Sequence, residues 1–305
     1  MKYLVTGGAG FIGSNLVDRL VSQNHEVHIL DNFSTGKDKN CNNKAVYHRM
    51  DISDINKGDE IKKICKDVDT IFHCAALARV QPSIIDPLKY ELNNTIGLMN
   101  ILKAAVDTKI RRLVYSASSS AYGSTEKLPS KESDVPNPVS PYANQKYYGE
   151  LCCKMFSQLY DIETVSLRYF NVFGERQSLG GAYATVVGIF LNQSIERKPL
   201  TINGDGNQKR DFTYVGDVVN ANILSAQSPH VGKGEVINIG SGKNISINEL
   251  AEIIGGEKIH LDPVIEPLAN LADVSLAKKL LNWEPTVSLN NWINENKKIL
   301  NEETN

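Results

Sequence analysis

A short apolar run at residues 3–5 breaks directly into Gly7-Gly8-Ala9-Gly10-Phe11-Ile12-Gly13 and then into a helical pattern. Two glycine spacings coexist there. Gly8, Gly10 and Gly13 match G-x-G-x-x-G, and Gly7, Gly10 and Gly13 match G-x-x-G-x-x-G. In either register one glycine makes the tight strand-to-helix turn, one lets backbone approach a pyrophosphate, and one lets helix pack close to strand. A helix opening near Phe11 aims its unpaired N–H groups and positive dipole end at phosphates. The stretch therefore demands a strand–turn–helix unit built around a nucleotide.

A second strand, expected over 26–31, ends in Asp31, 18 residues past Gly13. That is where the dinucleotide fold needs a carboxylate to accept hydrogen bonds from the adenosine ribose. Asp31 would repel a 2′-phosphate, so the expected cofactor is NAD rather than NADP.

A chain of 305 residues can bury a substantial core, as one large domain or two modest ones. With 33 basic and 35 acidic residues it offers no broad nucleic-acid or membrane surface. No apolar run approaches the roughly 18–20 residues of a membrane span, and the N-terminus enters a strand without a signal peptide. Five cysteines, an odd number with no C-x-x-C pair, fit reduced thiols in a cytoplasmic protein and argue against structural zinc. No metal is expected; His73 closes an apolar strand and reads as a packed residue.

Strands expected over 45–50, 69–74, 112–117 and 164–168 alternate with helices over 54–66, 82–109 and 140–159. This alternation is the pattern of an α/β, doubly wound parallel sheet of the Rossmann type. Asp51-Ile52 follows the third strand where an adenine is expected. Ala75-Ala76-Leu77-Ala78 follows the fourth, small enough for a ligand to lie against backbone. Asn94 lies on the long helix, and the fifth strand delivers Ser118-Ser119-Ser120 and Tyr122-Gly123. Ser140-Pro141 supplies an N-cap and an N1 proline for the next helix.

Beyond Tyr169 the alternation stops. Short strands are expected over 199–203, 209–214 and 235–239, and helices over 182–197, 218–226, 247–254, 275–281 and 289–300, with 301–305 disordered. The expected division is a NAD-binding Rossmann domain at 1–168 and a smaller C-terminal α/β substrate-binding domain at 169–305, sharing a cleft.

Tyr142 and Lys146 fall at i and i+4, on one face of one helix. A free tyrosine, with a pKa of about 10, is almost fully protonated near neutrality. A neighbouring lysine and a cationic nicotinamide ring both favour the phenolate, which lets Tyr142 serve as a base. Lys146 can also hold the nicotinamide ribose, and Ser118 can bridge Tyr142 and a substrate oxygen.

Together Gly7–Gly13, Asp31, Asp51-Ile52, Ser118 with Tyr122-Gly123, Tyr142/Lys146 and Arg168-Tyr169-Phe170-Asn171 resemble the extended short-chain dehydrogenase/reductases that modify nucleotide sugars. The likeness continues through Ile202-Asn203-Gly204-Asp205-Gly206, Arg210-Asp211-Phe212 and Ala272-Asp273, and so covers nearly the whole chain. Among the members, the chain is most similar to the UDP-hexose 4-epimerases. The stretch from Asn171 to Gln177, followed by Gly181-Ala182-Tyr183-Ala184, is similar to bacterial UDP-N-acetylglucosamine 4-epimerases.

The resemblance implies that NAD lies against Gly7, Gly10, Phe11, Ile12, Gly13, Asp31, Asn32, Asp51, Ile52, Ala75, Ala76, Asn94, Tyr142, Lys146 and Tyr169. It implies that Tyr142, helped by Ser118, takes the proton of the sugar 4-hydroxyl while hydride leaves C4 for NAD. The flat 4-keto sugar then swings about its diphosphate, and hydride returns to the other face. Ser118, Ser119, Ser120, Tyr142, Asn171, Arg210 and Asn270 would contact the UDP-sugar. Ser119 and Ser120 stand where 4,6-dehydratases of the family carry Asp-Glu and where its decarboxylases and mannose dehydratases carry a glutamate, so those activities are excluded.

Two departures bear on substrate. The second diphosphate-binding arginine of the epimerases is replaced by Pro263, with Arg176 or Lys209 as possible substitutes. Asn270 stands at the pocket gate, intermediate in size and tilted toward tolerance of an N-acetyl group. Rival readings are a UDP-glucuronate 4-epimerase, a 4-ketosugar reductase, or a non-catalytic NAD-binding regulator. The resemblance also implies a homodimer through the helices of Asn94 and Tyr142; Leu98, Ile101, Leu102, Leu151, Met155 and Phe156 suit it, and their periodicity fits burial inside the monomer equally.

Overall fold

The computed structural model describes residues 1–303 apart from 126, 182, 183 and 265, with side chains as far as residue 296. The first half runs β1 (Lys2–Thr6), α1 (Phe11–Ser22), β2 (Glu26–Asp31), β3 (Val46–Arg49), α2 (Gly58–Cys65), β4 (Thr70–His73), α3 (Val80–Ile85), α4 (Pro87–Glu91), α5 (Gly97–Asp107), β5 (Arg112–Ser118), α6 (Pro141–Leu159) and β6 (Glu163–Tyr169). The second runs β7 (Val172–Phe173), α7 (Val186–Ile195), β8 (Leu200–Asn203), β9 (Lys209–Asp211), β10 (Thr213–Tyr214), α8 (Val215–Gln227), β11 (Lys233–Ile239), β12 (Asn244–Ser246), α9 (Ile247–Ile254), β13 (Lys258–Leu261), α10 (Ser275–Leu281) and α11 (Leu289–Glu303).

Seven strands form one sheet in the order β11-β6-β5-β4-β1-β2-β3, and every pairing in it is parallel. Helices cover both faces, so the strands are apolar on both sides. Alternate residues feed separate cores, as the period of a strand requires. Tyr3 and Val5 join the layer under α1, α8 and α10, while Leu4 joins the layer under α2, α5 and α6. The expected doubly wound sheet is present, with the order reversing between β1 and β4. That reversal opens a crevice beyond the strand ends.

The division at residue 168 needs correction. β11 lies 64 residues past β6 yet pairs with it as the seventh strand, and α8 packs in the same apolar layer as α1. The sheet needs β11 to cover the edge of β6, so the chain re-enters the large unit after leaving it. What stands apart is smaller: β8 with β13, β9 with β12 and β7 with β10, over a core of Phe173, Phe190, Leu250 and Trp292.

The long helix expected over 82–109 is also broken. Pro87 sits at the first turn of α4, where the Asp86 carboxylate accepts from the Lys89 N–H at 3.1 Å, and a π-helical turn over Leu92–Ile96 precedes α5. The helix expected from 182 starts at Val186, its Thr185 hydroxyl accepting from the Gly188 N–H at 3.1 Å. Residues 182 and 183 lie outside the described residues, as do 304 and 305, while α11 continues to Glu303.

Candidate active site

A cleft of about 1420 Å³ runs across the C-terminal ends of the parallel strands and under the smaller unit. Its first wall is the glycine turn. Gly7 has φ +72°, and a Cβ there would lie 2.7 Å from the Ala75 nitrogen. A Cβ on Gly13 would lie 2.2 Å from the Gly7 carbonyl oxygen, whereas at Gly10 only that same oxygen is near, at 3.2 Å. A Cβ on Gly8 would lie 2.6 Å from Ile29 Cγ2, so both spacings carry steric demands, Gly7 and Gly13 against backbone and Gly8 against a side chain. Gly10 caps α1 without a side-chain hydrogen bond, leaving the first N–H groups of the helix directed at the cleft.

Asp31 closes β2 at the edge of this turn. Its carboxylate accepts from the Ala9 N–H at 2.9 Å and from the Phe33 N–H at 2.7 Å, which fixes it against the glycine loop. Asn32, Ile52, Ala75, Ala76, Phe11, Ile12 and Tyr169 line the same cleft. The Tyr169 hydroxyl is tied to Ser116 at 3.2 Å and to Asn222 at 3.1 Å. A turn that excludes a Cβ at three points, Gly7, Gly8 and Gly13, an uncapped helix start and a fixed carboxylate fit a dinucleotide.

Two of the expected cofactor residues do not line the cleft. Asp51 accepts from the Ser53 N–H at 2.8 Å and from Asn32 Nδ2 at 3.1 Å. Burial pushes its carboxyl up, and these bonds from Ser53 and Asn32 outweigh that and hold it low. It therefore orients Asn32 and the loop after β3. Asn94 is buried in the π-helical turn, where it accepts from the Leu77 N–H at 2.8 Å and donates to the Leu77 carbonyl at 3.0 Å. A polar residue on the inner side of a helix is easily read as a ligand contact; here it clamps the loop that carries Ala75 and Ala76.

At the other end, α6 brings in Tyr142 and Lys146. Ser140 caps this helix by accepting from the Ala143 N–H at 3.2 Å, and the Tyr142 N–H donates to the Ser83 hydroxyl at 3.2 Å. The Tyr142 phenol lines the cleft with Ser118; burial raises its pKa, and hydrogen bonding toward Ser118 and the charge of Arg79 offset only part of that rise. Ser118 also accepts from the Ser120 N–H and hydroxyl at 3.2 and 2.9 Å. The Lys146 ammonium donates to the Ser116 carbonyl at 2.8 Å and lies 5.1 Å from the centre of the Tyr115 ring. Burial draws its pKa down to about 8. Behind this wall, Arg168 pairs with Glu150 at 2.6 Å, both buried, and its guanidinium lies 4.5 Å from the Tyr122 ring centre.

The far wall comes from the smaller unit. Asn171 donates to the Asp211 carbonyl at 2.7 Å and to Asn270 Oδ1 at 3.2 Å, and Asn270 Oδ1 also accepts from the Asp211 N–H at 2.8 Å. Both asparagines line the cleft, so Asn270 serves the loop and faces the cavity at once. Arg210 lines it too, paired at 2.5 Å with Glu266, which also accepts from Gln208 at 3.2 Å. Arg176 reaches the cleft but pairs with Asp18 at 2.6 Å; neither Lys209 nor Pro263 is in the lining.

Sequence reasoning missed Arg79 and Glu266. Arg79 follows the small residues 75–78 directly, a cation at the end of a ligand-facing loop, which was a readable signal. Glu266 had none, because its partner Arg210 is 56 residues away.

The likeness to known proteins agrees with this geometry. The profile of the NAD dependent epimerase/dehydratase family matches residues 3–240. A Methanobrevibacter ruminantium UDP-N-acetylglucosamine 4-epimerase, solved with UDP-N-acetylmuramic acid, is 37% identical over 99% of this chain and 98% of its own, with a TM-score of 0.92. A Thermotoga maritima UDP-glucose 4-epimerase, solved with UDP-glucose, is 33% identical over the whole of both chains, TM-score 0.94. A Bacillus cereus UDP-glucuronic acid 4-epimerase, solved with UDP-glucuronic acid and NAD, is 33% identical over 99% of this chain and 100% of its own, TM-score 0.90. This chain is a member of the NAD dependent epimerase/dehydratase family.

Proposed function

We propose that the chain is an isomerase that inverts C4 of a UDP-hexose, UDP-N-acetylglucosamine or UDP-glucose and their galacto epimers, with NAD held in the cleft. The observation that carries the reading is that Tyr142 and Ser118 line one cleft at a strand end bearing only hydroxyls. Among the described lining residues the carboxylates are Asp31 and Glu266. Asp31 is engaged by backbone on β2, separated from β5 by β1 and β4, and Glu266 is paired with Arg210. The Tyr142 end thus offers proton transfer without the acid and base that elimination or decarboxylation requires.

Gly7, Gly10 to Gly13, Asp31, Asn32, Ile52, Ala75, Ala76 and Tyr169 would hold NAD, with Lys146 on its nicotinamide ribose. When bound, NAD supplies an acceptor and donor of hydride at the sugar carbon, so the reaction has no net redox change. Tyr142 takes the proton of the 4-hydroxyl and later returns it to the inverted oxygen, with Ser118 relaying the hydrogen bond. Ser119, Ser120, Asn171 and Asn270 orient the sugar, and Arg210 exchanges Glu266 for the diphosphate. A hexuronate is the second reading, favoured by a cation, Arg79, lining the cleft.

The chain is further proposed to be a cytoplasmic homodimer. Tyr148, Leu151, Met155 and Leu159 form an exposed stripe on α6, beside exposed Leu88 and Leu92. No helix among the described residues is long and apolar enough to cross a membrane. Leu98, Ile101, Leu102 and Phe156, expected at the same interface, belong instead to the buried core.

The test is incubation of purified protein with UDP-N-acetylglucosamine, UDP-glucose and UDP-glucuronate in turn, without added reductant, followed by proton NMR. Conversion of at least one to the galacto series supports the reading; none converted by NAD-loaded protein contradicts it. Sedimentation as a monomer at micromolar concentration would contradict the dimer.

A further inference from the structure

The register of β11 against β6 places Asn238 directly beside Arg168. Both side chains reach Tyr122, which ends the helical turn over Ser119–Tyr122 that follows β5. The Arg168 guanidinium lies 4.5 Å from the ring centre, and the Tyr122 hydroxyl donates to Asn238 Oδ1 at 2.7 Å. The side-chain nitrogen of Asn238 donates to the Ser130 carbonyl at 2.9 Å and to the Asp273 carbonyl at 3.3 Å. Its backbone N–H donates to the Glu132 carboxylate at 2.8 Å. Asn238 is fully buried and does not line the cleft. A buried amide needs partners for its oxygen and its nitrogen alike, and here those partners lie on separate segments.

The segments are the two walls of the cleft. Tyr122 and Ser130 line it from the limb that leaves β5, and Asn270 lines it from the segment before α10. Where limb and segment meet, the Ser130 N–H donates to the Leu271 carbonyl at 2.8 Å and the Asp273 N–H to the Ser130 carbonyl at 2.9 Å. This is one isolated bridge, Ser130 with Ala272, outside any sheet. Even a complete two-stranded hairpin is marginal in water, so a single bridge is a weak joint by itself. Asn238 fastens it to the seven-stranded sheet, and the Ala272 N–H donates to the Asp211 carboxylate at 3.0 Å from the other side.

We propose that Asn238 is a positioning residue for the reaction proposed above, on which the inference rests: with Tyr122 it clasps the two walls so that the 4-keto sugar turns over without leaving the cleft. The sugar gives its 4-hydroxyl proton to Tyr142 and its C4 hydride to the cofactor, and both must come back. Between those events the ketone has to rotate, which needs walls that leave room for the turn and still do not part. A sugar that escapes then leaves the hydride and the proton behind, and the enzyme is left reduced.

The experiment compares NAD-loaded wild type, Tyr122→Phe, Asn238→Leu and the double variant on whichever UDP-sugar the wild type converts. Epimerised product is read by proton NMR and reduced cofactor by its absorbance. Tyr122→Phe keeps the ring beside Arg168 and removes one bond of the clasp, whereas Asn238→Leu keeps the side-chain shape and removes every side-chain bond. Reduced cofactor per epimerised product should rise about fivefold in Tyr122→Phe, the scale of one neutral hydrogen bond, and further in Asn238→Leu, with free 4-keto sugar in matching amount. The double variant should leak no more than Asn238→Leu, because the two residues act as one unit. A variant that only folds less well loses turnover and keeps the ratio, so an unchanged ratio overturns the inference, whether kcat, KM or neither has moved. Additive leakage in the double variant also overturns it, by making Tyr122 a separate sugar contact. If Asn238→Leu does not fold, the ratio in Tyr122→Phe decides. If the wild type converts none of the three UDP-sugars, the epimerase reading fails separately, and amide hydrogen exchange of the NAD-loaded proteins decides the clasp. The Ser130 and Asp273 amides should exchange about fivefold faster in Tyr122→Phe than in wild type; equal exchange overturns the inference.

Discussion

Tyr142 concentrates the chemistry of the cleft into one phenol, because the neighbouring strand end supplies hydroxyls and no acid. Tyr142→Phe keeps the ring, and with it the packing of α6, and removes only the transferable proton. Turnover should fall by about 10²–10⁴-fold with NAD still bound, as measured by single-point kinetics and cofactor content. Near-wild-type turnover would remove Tyr142 from the mechanism. The pairing of Tyr142 with Lys146 was legible in the sequence because i and i+4 share a helix face whatever the tertiary fold. The direction in which Lys146 points was not. A lysine side chain is long enough to reach the Ser116 carbonyl, and only the packed structure reveals that it does. Asp51 and Asn94 show the converse limit: each bonds a loop beside the cleft, a role that local sequence does not name.

At the level of elements, the glycine turn makes the sharpest demand. Alanine is a better helix former than glycine by about 1 kcal/mol, so propensity alone would favour Gly13→Ala within α1. The steric term is larger and opposite in sign, because the obstructing atoms 2.2 and 2.9 Å away are backbone of Gly7, which cannot turn aside. Gly13→Ala should therefore lose co-purified NAD and melt at a lower temperature, while Gly10→Ala, with a single contact at 3.2 Å, is tolerated better. Unchanged NAD content and melting in Gly13→Ala would contradict the turn geometry. Elements with strong local signals were readable to the residue, α9 over Ile247–Ile254 and α10 over Ser275–Leu281 among them. The breaks between α3, α4 and α5 were not, since the π-helical turn at Leu92–Ile96 exists to turn Asn94 toward Leu77, a partner that local sequence does not name.

For the whole molecule, the doubly wound sheet followed from the strand–helix alternation, but its seventh strand did not. Residues 235–239 were readable as a strand, yet nothing local says that they return to β6, whose last residue is 64 positions before the start of β11. The same assembly buries His73 against Thr6, with its Nδ1 3.0 Å from the threonine hydroxyl. Burial first, then the charge of Lys146, lowers its pKa from 6.5 to about 3. Between those values the unfolded chain binds a proton that the folded one refuses, so the stability contribution is complete above 6.5 and is lost as the pH falls. Each pH unit below 6.5 should cost about 1.4 kcal/mol from this group. Urea denaturation at pH 7 and pH 5 should find the loss in His73→Asn smaller than in wild type by about 2 kcal/mol. Equal losses in the two proteins would mean that His73 is protonated in the fold.

The central claim, inversion at C4 by removal and return of the same hydrogen, is tested most directly with a UDP-sugar carrying deuterium at C4. The substrate is whichever of the three UDP-sugars the wild type converts, incubated with the purified protein and no added cofactor. The account predicts a galacto-configured product with the deuterium still on C4. Product with hydrogen from solvent at that carbon, or a product dehydrated at C6, would contradict it.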